Sequence, residues 1–170
     1  MRVIAYVREA PGFDQGESAF VQSERIRKWV AQHRCKLIAV CQDSHVPGST
    51  GTLEGYRALL GIVATGNVDT LVIPTLGTLS ADLITQEVML WDLRSRGINV
   101  VSAEEADLEA LAVPTRDASR MFIRDVLEKR HDYRRSLEGS EEPQIRRSPE
   151  RDVLIELIPA SPAPPVAQAS

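Results

Sequence analysis

Arg2-Val3-Ile4-Ala5-Tyr6-Val7 is a short apolar, β-branched run that breaks at Ala10-Pro11-Gly12 into the polar stretch Phe13 to Glu17. It reads as a strand leading into a loop. From Ser18 to His33 the period changes: Ala19, Ile26, Trp29 and Val30 recur at helical spacing, with Glu24, Arg25, Arg27 and Lys28 between them. That is a surface helix. Lys36 to Gln42 gives a second strand, followed by a turn-rich loop from Asp43 to Thr52 and a second helix marked by Leu53, Tyr56, Leu60 and Val63.

The alternation continues. Val68 to Ile73 is a third strand and Pro74 to Leu79 a loop, with Ser80 placed to cap a helix from Ala81 to Arg96 that Gly97 stops. Ile98 to Val101 is a fourth strand, and Ser102 with Glu105 has capping-box spacing for a short helix to Leu111. Pro114-Thr115 opens a longer helix to Leu137. Strands alternating with helices, through connections too long for hairpins, require crossovers and a sheet covered on both faces. The expected architecture is a doubly wound α/β domain with a mostly parallel four-stranded sheet. Its ligands would meet the carboxyl ends of the strands, at Val7 to Ala10, Asp43 to Gly48 and Pro74 to Ser80.

The 170 residues, 43% hydrophobic and 26% charged, fit one globular domain with an ordinary core. The longest uncharged runs, such as Thr70 to Ala81, fall short of the roughly 18 to 20 apolar residues a membrane span needs. The start, Met1 to Val7, lacks the pattern of a signal peptide, so a cytoplasmic location is expected. Cys35 and Cys41, if on one strand, would lie about 20 Å apart and are expected to be buried thiols. His33, His45 and His131 share no metal-ligand spacing, so neither metal nor cofactor is expected.

Charge is unevenly distributed. Residues 1–113 carry 10 Lys+Arg against 14 Asp+Glu, which argues against a broad nucleic-acid surface on the body. Residues 114–137 carry 7 against 4, and residues 138–170 carry 3 against 6. Six of the ten prolines follow residue 138, so 138–170 reads as a disordered acidic tail whose one apolar patch, Val153 to Ile158, is a candidate docking segment.

Residues 1–137 resemble the catalytic domain of the serine recombinases, the resolvase and invertase family. The likeness runs through Tyr6-Val7-Arg8, Gln22 to Ile26, Asp43, Gly48, Gly55-Tyr56, Val68-Asp69-Thr70-Leu71-Val72 and Leu79-Ser80. It implies a small parallel sheet with a long C-terminal helix used for dimerisation and DNA contact. It also implies a nucleophile two residues after the arginine of Tyr-x-Arg-x-Ser, which attacks a DNA phosphodiester and is joined to the 5′ phosphate. Here that position is Ala10, whose methyl group has no lone pair. The family's Asp-Arg-Leu-Ser-Arg run corresponds to Gly77-Thr78-Leu79-Ser80-Ala81, so Thr78 and Ala81 replace both phosphate-binding arginines. His45 and Pro47 stand where small polar residues are usual.

The family-site positions are therefore Tyr6, Arg8, Ala10, Asp43, Thr78, Ser80 and Ala81. Arg8 is expected to pair with Asp43 across the strand ends, and Glu9 to neutralise Arg8 or repel a phosphate. Ser80 reads as a helix cap, and Ser18 reaches the nucleophile position only if its loop moves. Gly48-Ser49-Thr50-Gly51 lacks the lysine and spacing of a P-loop and reads as a turn.

In the last helix, Ala118, Phe122, Val126 and Tyr133 recur at near-heptad steps and are the expected dimer interface. Lys129, Arg130, Arg134 and Arg135 are the expected phosphate contacts on DNA. A solvated basic face on a helix packed within one chain accounts for the same pattern. The expected function is a catalytically inactive, resolvase-like accessory or regulatory module, a homodimer or heteromer with a related recombinase, contacting DNA weakly and no membrane. The alternative is an active strand-exchange enzyme with another nucleophile or partner-supplied residues.

Overall fold

The computed structural model describes residues 1–9, 17–44 and 53–138. The expectations placed on Ala10, on His45, Pro47 and Gly48 to Gly51, and on the tail with Val153 to Ile158 lie outside the described residues. The chain divides into units of residues 1–133 and 134–170; of the second, the end of the last helix is described, where Arg134 pairs with Glu138 at 3.4 Å.

In the first unit, β1 (Arg2–Arg8), β2 (Lys36–Asp43), β3 (Thr70–Ile73) and β4 (Asn99–Ser102) form one sheet in the order β2-β1-β3-β4. All three pairings are parallel. The helices are α1 (Ala19–Gln32), α2 (Glu54–Ala64), α3 (Leu83–Ser95), the single turn α4 (Leu108–Leu111) and α5 (Ala118–Glu138). From β1 the chain steps one way to β2, then crosses back to β3 and on to β4. Steps of opposite direction made with one handedness put their helices on opposite faces.

The core shows this division. Val3, Ala5 and Val7 alternate along β1 with Ile4 and Tyr6, and all five are fully buried. The first set packs with Ala19, Ile26 and Val30 of α1; the second packs with Leu59 and Val63 of α2 and Leu90 and Leu93 of α3. Burial on both faces explains why β1 is a continuous apolar run rather than an alternating one. In α2 the fully buried residue is Leu59, one turn before Val63, and Leu60 is only half-buried. Helix α2 approaches the sheet through Gly55, where a Cβ would stand 2.3 Å from the Gln42 carbonyl oxygen. No larger residue fits there.

Several boundaries differ from the sequence expectations. Ser80 does not cap α3: Asp82 does, accepting from the Thr85 amide at 2.7 Å, and the Ser80 hydroxyl accepts from the Asp82 amide at 3.1 Å. A carboxylate next to the positive helix end outcompetes a hydroxyl two residues earlier. Bonds from Thr85 hold the Asp82 carboxyl below its usual range. The Ser102–Glu105 capping box does not form. Ser102 ends β4, and its hydroxyl donates to Asp107 at 2.6 Å and accepts from the Glu104 amide. A 3-10 turn, Glu105–Asp107, precedes α4.

Helix α5 starts at Ala118 rather than Pro114-Thr115. Thr115 is held back on α4 by its hydroxyl bond to the Glu109 carbonyl at 3.0 Å, and Asp117 takes the first amides, from Ser119 and Arg120. Cys41 is buried but Cys35 precedes β2 and is half-buried.

Candidate functional site

Where the direction of stepping reverses, between β1 and β3, the strand ends leave the crevice in which such sheets bind ligands. Three residues build its β1 side. Gln22 of α1 is buried and clamps the strand end: its Oε1 accepts from the Arg8 amide at 3.1 Å, and its Nε2 donates to the carbonyls of Arg8 and Glu17, each at 2.9 Å. Glu9 turns its carboxylate toward α1, accepting from the Ala19 amide at 3.1 Å. Arg8 reaches the other way, and its Nη1 donates to the Leu79 carbonyl at 3.1 Å.

Two expectations fail here. Arg8 does not pair with Asp43, because three donors already occupy that carboxylate: the Tyr6 hydroxyl at 2.8 Å and the amides of Gly55 at 2.7 Å and Tyr56 at 3.0 Å. Glu9 does not neutralise Arg8, because the exposed amide end of α1 holds it. Asp43 thus caps α2 from a neighbouring strand. Tyr6 serves that contact and points into the core beneath α2, not into the crevice. Burial, then the bond to Asp43, pushes its hydroxyl pKa far up.

The β3 side is the loop between Ile73 and Leu83. It contains a 3-10 turn, Leu76–Thr78, with Thr78 and Leu79 buried, Ser80 half-buried and Ala81 exposed. The Leu76 amide donates to Asp107 at 2.7 Å, and the carbonyls of Leu76 and Ser80 both accept from Gln86 Nε2 at 2.9 Å. Of the family-site positions, the structure brings Arg8 to this loop, keeps Tyr6 and Asp43 together under α2, and describes no position for Ala10.

Sequence reasoning missed the most buried charge. Glu87 of α3 is 1% exposed and accepts from Arg120 at 2.6 Å and from Arg124 at 2.7 and 3.2 Å. Arg124 also donates to the carbonyls of Ala110 and Ala112, and Arg94 to that of Leu111, so two guanidiniums close the end of α4. The available signal was an Arg pair at i,i+4 facing a lone acid in the largely apolar run Leu83 to Trp91. Part of the positive charge assigned to 114–137 therefore faces inward.

The outer face of α5 carries the rest. Ala118 is exposed, as are Phe122 at 70%, Val126 at 47% and Tyr133 at 65%. Lys129 pairs with Asp125 at 2.7 Å, while Arg130 and Arg135 are exposed. Such solvent-facing pairs contribute about 0.3–0.5 kcal/mol and yield readily to a stronger anion. Among the described residues no His, Cys, Asp and Glu side chains gather as a metal site, and no helix is long and apolar enough to cross a membrane.

Among solved structures, the chain is similar to the N-terminal catalytic domain of TP901-1 integrase, at 19% identity and TM-score 0.57 over 81% of this chain and 99% of that one. A resolvase family site-specific recombinase from Streptococcus pneumoniae matches at 16% identity and TM-score 0.56, over 82% and 95%. The C-terminal catalytic domain of ISC1926 TnpA, an IS607-like serine recombinase, matches at 17% and 0.51, over 81% and 85%. At these identities the likeness establishes a shared fold. No curated protein matches the chain. The family described as Resolvase, N terminal domain, matches residues 3–142, and by that match the chain belongs to the resolvase family, whose fold it shares with serine recombinase catalytic domains.

Proposed function

We propose that this resolvase-family domain is catalytically inactive and acts as a dimerising accessory or regulatory module on DNA. The observation that carries the reading is Ala10 at the nucleophile position. Phosphoryl transfer depends on donors and positive charge placed where negative charge develops, and removing one such donor costs roughly 3 to 4 kcal/mol of transition-state stabilisation. Thr78 and Ala81 leave two of them out. Arg8 remains, with one donor on the Leu79 carbonyl. Neither nearby serine offers a substitute: Ser18 caps α1 through the Val21 amide, and Ser80 accepts from Asp82. A neighbouring cleft is lined by the carboxylates of Glu9 and Glu24, with Arg27 paired to Glu24 at 3.1 Å, a poor reception for a phosphate.

The exposed stripe Ala118, Phe122, Val126 and Tyr133 supports self-association or pairing with a related recombinase. Lys129, Arg130, Arg134 and Arg135 support a weak, salt-dependent DNA contact. The test is incubation with supercoiled plasmid carrying recombinase sites, followed by denaturation and a search for protein covalently joined to a DNA 5′ end. Neither the wild type nor Ala10→Ser should form an adduct or nick the plasmid, since the missing arginines are a separate deficit. An adduct trapped on any serine of the wild type would overturn the reading.

A further inference from the structure

We propose that Arg120 is a positioning residue for the crevice: acting through the Gln86 side chain, it lets α5 fix the β3–α3 loop and, through Leu79, the Arg8 guanidinium.

Five contacts carry this. Arg120 Nη2 donates to Gln86 Oε1 at 2.7 Å. Gln86 Nε2 donates to both the Leu76 and the Ser80 carbonyls at 2.9 Å. Between those two residues, the Leu79 amide donates to Leu76 at 3.1 Å, and the Leu79 carbonyl accepts from Arg8. Arg120 and Gln86 are both buried, so water does not substitute for either partner. An amide side chain has two ends of opposite polarity. With Arg120 on the oxygen, the nitrogen must face the loop. Without Arg120 the amide is free to turn, and the loop then faces an oxygen that cannot donate.

The geometry also separates Arg120 from its neighbour. Arg120 and Arg124 both hold Glu87, yet only Arg120 bonds to Gln86. Arg124 instead bonds to α4. Phe122 and Val126 are exposed on the same helix, so a partner that shifts α5 shifts Arg120 as well. Occupancy of that face is thereby felt at Arg8 through Gln86 and Leu79 rather than through the sheet. The coupling does not rest on the crevice being inactive.

Native-state hydrogen exchange on the full chain tests it, with the amides of Thr78 and Leu79 compared with those of Leu71 and Val72 in β3. In Arg120→Met the loop amides should exchange roughly tenfold faster relative to the strand, the factor one lost hydrogen bond carries. In Arg124→Met, which also breaks the Glu87 cluster, global stability should fall while the loop-to-strand ratio stays at the wild-type value. Equal loop acceleration in both variants, or none in Arg120→Met, would overturn the proposal. If Arg120→Met does not fold, Gln86→Met keeps the Arg120–Glu87 pair and must accelerate the same two amides; an unchanged ratio there overturns it equally.

Discussion

The Asp43 carboxylate stands 2.8 Å from the Tyr6 hydroxyl and also receives the Gly55 and Tyr56 amides, so one side chain joins β1, β2 and the start of α2. Helix α2 has no capping bond from its own preceding residue, Leu53. The strand supplies what the helix lacks. Loss of a cap costs about 0.5–2 kcal/mol, and a buried hydroxyl left without its acceptor about 1–3 kcal/mol. Asp43→Ala should therefore destabilise the domain by about 2–4 kcal/mol in urea unfolding. Tyr6→Phe removes hydroxyl and unmet need together and should cost about 1 kcal/mol. Similar losses for the two variants would mean that Asp43 does not cap α2.

Alkaline pH should weaken this same region. Burial, then its bond to Asp43, raises the Tyr6 pKa, and burial with the nearby Asp92 charge pushes Tyr56 up to about 12. In the unfolded chain both hydroxyls ionise near pH 10. Above about pH 10 the unfolded state therefore binds fewer protons than the native state, and stability falls as pH rises; below that both states are protonated and the dependence vanishes. The Tyr56 hydroxyl is buried with no hydrogen-bond partner among the described residues. Tyr56→Phe should thus be nearly neutral at pH 8 and flatten the decline between pH 10 and about 12. Urea midpoints across that range decide it, and a wild-type midpoint that stays level would refute the assignment.

Glu87 should be more sensitive than any surface acid. Removing one partner of a buried ion cluster leaves charge uncompensated and costs about 3–5 kcal/mol, whereas replacing the whole cluster with apolar groups is often neutral. Glu87→Gln should accordingly lower stability by several kcal/mol, about 3–5 on that scale. The triple variant Glu87→Leu, Arg120→Met, Arg124→Met should recover most of the loss. If the triple variant is less stable than Glu87→Gln alone, the three side chains are held by something other than their mutual charge.

The order of strands and helices was legible because each signal is local: β-branched runs, helical periodicity, and Gly97 with φ of +77° ending α3. Caps were legible only in part. Ser80 and Asp82 both suit the start of α3, and only the 3-10 turn at Leu76–Thr78 decides where the chain becomes helical. The remote cap Asp43 and the buried acid Glu87 have partners 12 to 37 residues away, beyond what periodicity carries. Within the crevice, the threonine and alanine at Thr78 and Ala81, where the resemblance implies arginines, follow from residue identity alone. The Leu79 contact of Arg8 does not, since it depends on how a loop folds 71 residues further on.

Self-association should reside on the outer face of α5. Phe122 and Val126 are one turn apart and exposed, while Arg120 and Arg124, on the inward side of the same turns, hold Glu87. Changing the outer pair therefore leaves the attachment of the helix intact. Phe122→Asp with Val126→Asp places unpaired charge in any contact made there and should convert a dimer to monomer. Because both side chains are solvent-facing in the single chain, the melting temperature of the monomer should move little. Light scattering and circular dichroism on the same samples read the two effects separately. Dimer retained in the double variant would move the interface elsewhere, and a joint loss of helix content and melting temperature would mean that these residues pack within their own chain.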